Sequence, residues 1–254
     1  MKNLYLIICF LGFIQLSAQE NYTIDGATGE LYISEINKVT LVGTNDSKLT
    51  VEVDGKLYEQ PDKAKGLKLI NPGGYTDNTG IGLNVNKDGN SYTFKRISNK
   101  KGNRYIFHVP KGYHVHYESS SYNAGTLHIN DVEAELDVSA NYNRVELSGV
   151  TGPMAIHSVY GGIEAKFASV SQDGPISLYS VYSDVDVSVP SNTKAKFNLK
   201  VSYGDVFSDI ELSYPDSGDG YKHLNAKKFT GLMNGGGVDF TLKSGYNNVY
   251  LRKI

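Results

Sequence analysis

The chain has 254 residues, with 25 basic and 27 acidic side chains and a formal net charge of −2. That balance excludes the basic field that gathers nucleic acid or acidic lipid. Nineteen tyrosines, 27 glycines and no tryptophan, with few runs of helix formers, point to strands and tight turns.

Met1-Lys2-Asn3 places one positive charge before the apolar run Leu4 to Leu16, and the small Ala18 precedes Gln19-Glu20. This is the pattern of a secretory signal peptide over residues 1–18, cleaved after Ala18. The apolar run, interrupted by Gly12 and Gln15, falls short of the roughly 20 residues a membrane helix needs. Nothing after residue 18 resembles a transmembrane segment. Cys9 is the only cysteine, and Ile8 stands where a lipoprotein signal wants a small residue. The mature protein is therefore expected to be exported from a Gram-negative cell to the periplasm, the outer-membrane surface or the medium. Without disulfides, its stability must come from a buried core.

Residues 19–110 read as an N-terminal, more irregular β-rich part. Segments 30–34, 38–42, 48–53, 91–97 and 104–109 alternate apolar and polar residues, the mark of strands with one buried face. Lys87-Asp88-Gly89-Asn90 and Asn99-Lys100-Lys101-Gly102-Asn103 supply tight bends between the later strands. The long irregular stretch 55–81 is expected to cover an end or edge of a sheet. Within it a turn after Pro61 is the most helix the residues allow, since Gly66 and Asn71-Pro72-Gly73-Gly74 stop it.

Residues 111–254 repeat. Asn141-Tyr142-Asn143-Arg144-Val145, Val159-Tyr160-Gly161-Gly162-Ile163, Val181-Tyr182-Ser183-Asp184-Val185, Ser202-Tyr203-Gly204-Asp205-Val206 and Gly245-Tyr246-Asn247-Asn248-Val249 share one design. Each has a tyrosine, two turn residues and a β-branched apolar residue, and successive tyrosines from Tyr122 to Tyr203 stand about 20 residues apart. Behind each corner, apolar residues alternate, as in Val185, Val187 and Val189, and a second run such as Ile176-Ser177-Leu178 follows half a period later. A unit of two strands and two turns cannot bury its own apolar face, whereas stacking equivalent strands in parallel can. The expected fold is an all-β, single-domain parallel β-solenoid with about 20 residues per coil. Antiparallel sandwiches and barrels also give evenly spaced short strands, but have no reason to repeat the same corner residues at the same phase. About eleven coils of ~21 residues, at about 4.8 Å per layer, make a rod of about 50 Å.

Three segments carry a family resemblance: Lys65-Gly66-Leu67 with Asp77-Asn78-Thr79-Gly80-Ile81-Gly82-Leu83-Asn84-Val85, the coil repeats, and Met233-Asn234-Gly235-Gly236-Gly237 with the terminal Gly245–Lys253. Over most of the mature chain these residues resemble the bacterial adhesin-like proteins with β-strand repeats, secreted domains of unknown function. The chain departs from many coils of that family in using Tyr at the corner instead of Gly or Ser. The resemblance implies fold and location, with no established chemistry.

Constellations that could carry chemistry are sparse. His114 and His116 share a face of one strand, but no third ligand stands near them in the sequence, so they read as exposed imidazoles and no metal site is assigned. His108, His128 and His157 have no Ser-Asp or Cys partner of a nucleophilic kind. Asp184 and Asp186 share a face, and Asp205 could stack on Asp184 one coil away, an arrangement able to hold calcium or act as an acid and base pair. Because Asp184 and Asp205 occupy the slot of Gly162 and Arg144, turn chemistry explains them better. Asp216-Ser217-Gly218-Asp219-Gly220 lacks the alternate spacing and closing glutamate of a calcium loop. Asn234-Gly235-Gly236-Gly237 precedes a strand, Val238 to Leu242, and so reads as a positive-φ corner instead of a phosphate loop.

The function expected is a non-catalytic, adhesin-like envelope protein without cofactor, binding a glycan or protein ligand. Its candidate ligand-binding residues are Tyr142, Tyr160, Tyr182, Tyr203 and Tyr246, each three positions before the first core Val or Ile and so expected on the face opposite the core, in an aromatic ladder. The alternatives are a polysaccharide-active parallel β-helix enzyme, marked by a deep groove with unexplained carboxylates, and a purely structural envelope component.

Overall fold

The structure, a computed structural model, describes residues 21–55, 61–97, 103–123, 125–213 and 227–254. The leader 1–18 and the segment Asp216 to Gly220 lie outside the described residues.

The N-terminal part contributes β1 (Asn21–Asp25), β2 (Thr28–Ser34), β3 (Val39–Thr44), β4 (Lys48–Asp54), β5 (Leu83–Asp88), β6 (Ser91–Arg96), β7 (Arg104–Pro110) and β8 (Gly112–Ser119). The regular repeats form β9 (Leu127–Asn130), β10 (Glu135–Ala140), β11 (Val145–Val150), β12 (Met154–Ser158), β13 (Ile163–Phe167), β14 (Ile176–Ser180) and β15 (Val185–Val189). The C-terminal part holds β16 (Ala195–Val201), β17 (Val206–Ser208), β18 (Lys227–Met233), β19 (Val238–Ser244) and β20 (Val249–Lys253). One sheet runs β1-β4-β7-β3-β9-β11-β13-β15-β20-β17 and the other β18-β16-β19-β14-β12-β10-β8-β2-β6-β5. Ten strands about 4.8 Å apart give a stack about 45 Å long, close to the length expected.

From β8 to β15 the chain alternates between the sheets, and each strand pairs in parallel with the strand one coil away. Equivalent core residues fall in register, as in Val145, Ile163 and Val185. The period-two pattern decides the faces: Ile163, Ala165 and Phe167 are buried while Glu164 and Lys166 are exposed. Val185, Val187 and Val189 are fully enclosed. The β-solenoid is thus the fold, its core a stack of equivalent apolar layers between two sheets.

Two features correct the sequence reading. Pairing is antiparallel near both ends, at β1–β4, β4–β7, β5–β6 and β16–β18. The coils also do not stack in chain order. β19 lies between β14 and β16, and β20 between β15 and β17, so the last coil is inserted into the stack. Phe240 of β19 makes the insertion tight, with its ring 5.2 Å from Phe167 and 5.0 Å from Phe197. At the other end, β2 and β3 lie between the coil of β6–β7 and that of β8–β9. The expected bend at Asn99–Asn103 falls mostly on residues outside the described ones, and β6 and β7 on either side of it belong to different sheets, whereas Gly89, at φ 57°, turns the β5–β6 hairpin.

The long loop does cover an edge. Asp62–Ala64 form a 3-10 turn after Pro61. Asp77 accepts the backbone N–H groups of Thr79, Gly80 and Gly82, closing the Asp-Asn-Thr-Gly turn. Asn78 then pairs with Val85 of edge strand β5 in both directions, its amide donating to the Val85 carbonyl and its oxygen accepting the Val85 N–H, each at 2.8 Å. One side chain thereby acts as a short strand and blunts an edge that would otherwise invite pairing with another chain.

Candidate functional site

At the corner before β11, β13, β15, β20 and β17 the backbone bonds layer to layer. The N–H groups of Tyr160, Tyr182, Tyr246 and Tyr203 donate to the carbonyls of Asn141, Val159, Val181 and Gly245. Buried serines brace this corner from inside: Ser180 Oγ donates to the Gly161 carbonyl at 3.0 Å and accepts the Ser183 N–H at 3.1 Å. Ser244 does the same for Ser183 and Asn247. The signal for this brace, Ser two residues before Tyr at Ser158, Ser180 and Ser244, was open to sequence reading and was missed. Gly161 is obligatory, because a Cβ there would lie 1.7 Å from the Asn143 carbonyl oxygen.

On that frame the five tyrosines stack as one row. Ring centroids are 5.0 Å apart for Tyr142–Tyr160, 5.1 Å for Tyr160–Tyr182, 5.0 Å for Tyr182–Tyr246 and 4.9 Å for Tyr203–Tyr246, with planes within 18°. The order follows the inserted coil: Tyr246 separates Tyr182 from Tyr203. The tyrosines are all well exposed, from 47 % for Tyr182 to 77 % for Tyr203, so the turn does not rotate them into the core. Stacking covers most ring faces by their neighbours, and what meets solvent is a row of ring edges and hydroxyls about 20 Å long.

The carboxylates have structural partners. Asp184 and Asp205 do not stack on each other, because Asn248 of the inserted coil stands between them. Asp184 Oδ1 accepts the Asn248 N–H, and Asn248 Oδ1 accepts the Asp205 N–H, each at 2.9 Å. This is the turn chemistry expected of that slot. Asp205 also pairs with Lys227. Beside them, parallel register aligns Glu146, Glu164 and Asp186 along the outer face of β11, β13 and β15. Arg144 binds Glu146 at 2.7 Å and Glu164 at 2.5 Å, while Arg252 pairs with Asp186. Burial pushes the Asp186 carboxyl above its ordinary value, Arg252 opposes the rise, and Glu164 and Asp184 add to it.

The other sheet carries an open groove of about 600 Å³, lined by Tyr32, His116, Asp137, His157 and Tyr179 among others. His157 stacks on Tyr179 at 5.0 Å, and the Lys243 ammonium sits 4.0 Å over the Tyr179 ring. At its rim His114 and His116 of β8 gain acidic neighbours from two strands distant in the chain, Glu30 of β2 and Asp137 of β10. Glu30 Oε2 lies 2.8 Å from His116 Nε2 and 3.5 Å from His114 Nδ1. Asp137 Oδ2 lies 3.2 Å from His114 Nε2 and 3.5 Å from His116 Nδ1. His108 and His128 each pair with a glutamate, Glu52 and Glu146, at 3.3 Å. The glycines of the terminal motif are a corner, with Asn234, Gly235 and Gly236 at φ 51°, 82° and 88°. Among the described residues no helix is long and apolar enough to cross a membrane.

Residues 121–228 match the family model described as Toastrack DUF4097, which bears out the adhesin-like, β-repeat resemblance over that part of the chain. No curated protein matches the chain. A solved structure from Clostridium sporogenes with a provisional cell-adhesion name is 8 % identical, with a TM-score of 0.46 over 93 % of this chain and 99 % of that one. One from Bacteroides fragilis with a provisional adhesin name is 9 % identical, with a TM-score of 0.32 over 92 % and 96 %.

Proposed function

We propose that the chain is an exported, non-catalytic binding protein of the cell envelope, and that its ligand lies along the tyrosine row. The observation that carries this reading is the continuity of five exposed rings held at one spacing by the solenoid corner. A tyrosine offers apolar area with a hydrogen-bonding tip at little cost in conformational entropy, and the row repeats that offer five times in one line. Its shape suits an extended glycan or a partner's strand better than a compact small molecule. The leader at residues 1–18 supports export.

The test is binding of the mature protein to whole bacterial cells and to a glycan array, compared with a variant carrying Tyr160→Ser, Tyr182→Ser and Tyr203→Ser. The variant should keep the wild-type circular dichroism spectrum and lose at least tenfold in affinity. A folded triple variant that binds as well as wild type would leave the row as architecture alone.

One observation favours the alternative of a polysaccharide-active enzyme: Asp186, with its raised carboxyl, stands in line with Glu164 and Glu146. A carboxyl raised by its surroundings beside a second carboxylate is how glycoside hydrolases divide acid from base. Here, however, Arg144 and Arg252 account for all three carboxylates. Release of reducing ends from any acidic or neutral polysaccharide by wild type, abolished in Asp186→Asn, would replace the binding reading.

A further inference from the structure

We infer that Glu30, His114 and His116 form a site for a divalent transition-metal ion of the zinc class, with Asp137 as its outer partner. The donor set argues first. Glu30, His114 and His116 each offer one ligand atom within 4.8 Å of the others, and Glu30 Oε2 is 3.5 Å from His114 Nδ1 and 2.8 Å from His116 Nε2. A tetrahedral ion with bonds of about 2.0–2.1 Å needs ligand atoms about 3.3 Å apart, so small side-chain rotations close the site. Two imidazoles with one carboxylate suit zinc, copper or nickel, and disfavour calcium and magnesium, which demand oxygen ligands.

The four ring nitrogens divide between two carboxylates. Glu30 faces one nitrogen of each imidazole, and Asp137 faces the other of each, at 3.2 and 3.5 Å. In the structure His116 Nε2–H donates to Glu30 at 2.8 Å; an ion bound between Glu30 and the two rings would displace that proton and leave His114 Nε2 and His116 Nδ1 facing Asp137. A carboxylate behind the ligating imidazoles, holding tautomer and ring orientation, is the arrangement metal sites use to fix their histidines. His114 Nε2 is shielded from solvent and has no hydrogen-bond partner, although Asp137 Oδ2 stands 3.2 Å away. Tyr32 stacks on His116 at 4.4 Å with planes within 6° and holds the ring in place. Three protein ligands leave a coordination position for water or for a donor atom of a bound molecule. Tyr32, His116 and Asp137 also line the groove, so that position belongs to the groove face and is independent of the tyrosine row.

The experiment is calorimetric titration of tag-free mature protein with zinc chloride, with cobalt(II) as a spectroscopic substitute. Wild type should bind one zinc per chain, and His114→Ala and His116→Ala should each weaken binding at least 100-fold. Asp137→Asn should weaken it about 10–100-fold, the range for outer partners of metal ligands. Should an alanine variant fail to fold by circular dichroism, Glu30→Gln and His116→Asn take its place. Bound cobalt should show the intense visible bands of a tetrahedral ion. No binding by wild type at 1 mM zinc would reduce the cluster to ion pairs and overturn the site. Unchanged zinc affinity in a folded His114→Ala/His116→Ala variant would overturn it equally.

Discussion

Replacing Phe240 by alanine tests whether the C-terminal coil is an integral layer of the solenoid. Phe240 is fully buried in β19, the strand inserted between β14 and β16, and its ring packs between Phe167 and Phe197. Truncating a buried phenylalanine removes its transfer free energy and leaves a cavity, together about 3–5 kcal/mol. The two flanking rings are held by their own strands, so little collapse can offset the cavity and the upper half of that range is expected. For a domain of this size about 1 kcal/mol lowers the melting temperature by about 2–4 °C. Thermal unfolding followed by circular dichroism should therefore show a single transition displaced by about 8–20 °C. Tyr182→Ser, which removes a half-exposed ring from the surface row, should move it by only a few degrees. A Phe240→Ala shift as small as that of Tyr182→Ser would mean that the last coil merely lies against the stack, and the inserted order would be wrong.

Gly161→Ala forces a Cβ against the Asn143 carbonyl, a backbone atom with no room to yield, so it should cost at least the 1–3 kcal/mol typical of overpacking and show as a lowered melting temperature. At alkaline pH the buried tyrosines govern stability. Burial pushes the Tyr117 phenol up to about 12, so the stability it confers is complete below about pH 10, where the unfolded phenol titrates, and is lost as pH rises through 12. Two units correspond to about 2–3 kcal/mol. Tyr105 and Tyr113 are shifted the same way by burial. In Tyr117→Phe the fall in denaturant midpoint between pH 10 and 12 should be visibly shallower; an unchanged slope would mean that Tyr117 does not lose its proton on unfolding in that window.

The solenoid was legible because parallel stacking imposes one residue type at one phase of every coil. Tyr142, Tyr160, Tyr182, Tyr203 and Tyr246 meet in the structure because the same backbone corner recurs beneath each. What stayed hidden is the order of the coils. Val185 of β15 and Val206 of β17 both align with Val249 of β20, and nothing in an interchangeable apolar layer says which neighbour it takes. For that reason the Asp184 and Asp205 stack was misread, with Asn248 the missing member. The His114–His116 pair was legible as a pair and its carboxylates were not, since Glu30 arrives from a strand more than 80 residues earlier through a register that only the fold sets. The antiparallel edges at β5–β6 and β16–β18 obey end effects that a repeat cannot show: a stack needs terminal strands whose outer edges do not call for another coil.

The central claim, that the ligand lies along the tyrosine row, is tested most directly by footprinting the tyrosines. Mature protein free in solution and bound to whole cells would be treated briefly with a nitrating or iodinating reagent, and each ring's modification read by mass spectrometry. Tyr142, Tyr160, Tyr182, Tyr203 and Tyr246 should react readily when free, in keeping with their exposure, and be protected severalfold when bound, while Tyr105 and Tyr117, nearly inaccessible at 3 % and 2 %, stay unreactive in both states. Equal modification of the five row tyrosines in free protein and in protein still attached to cells would contradict the account.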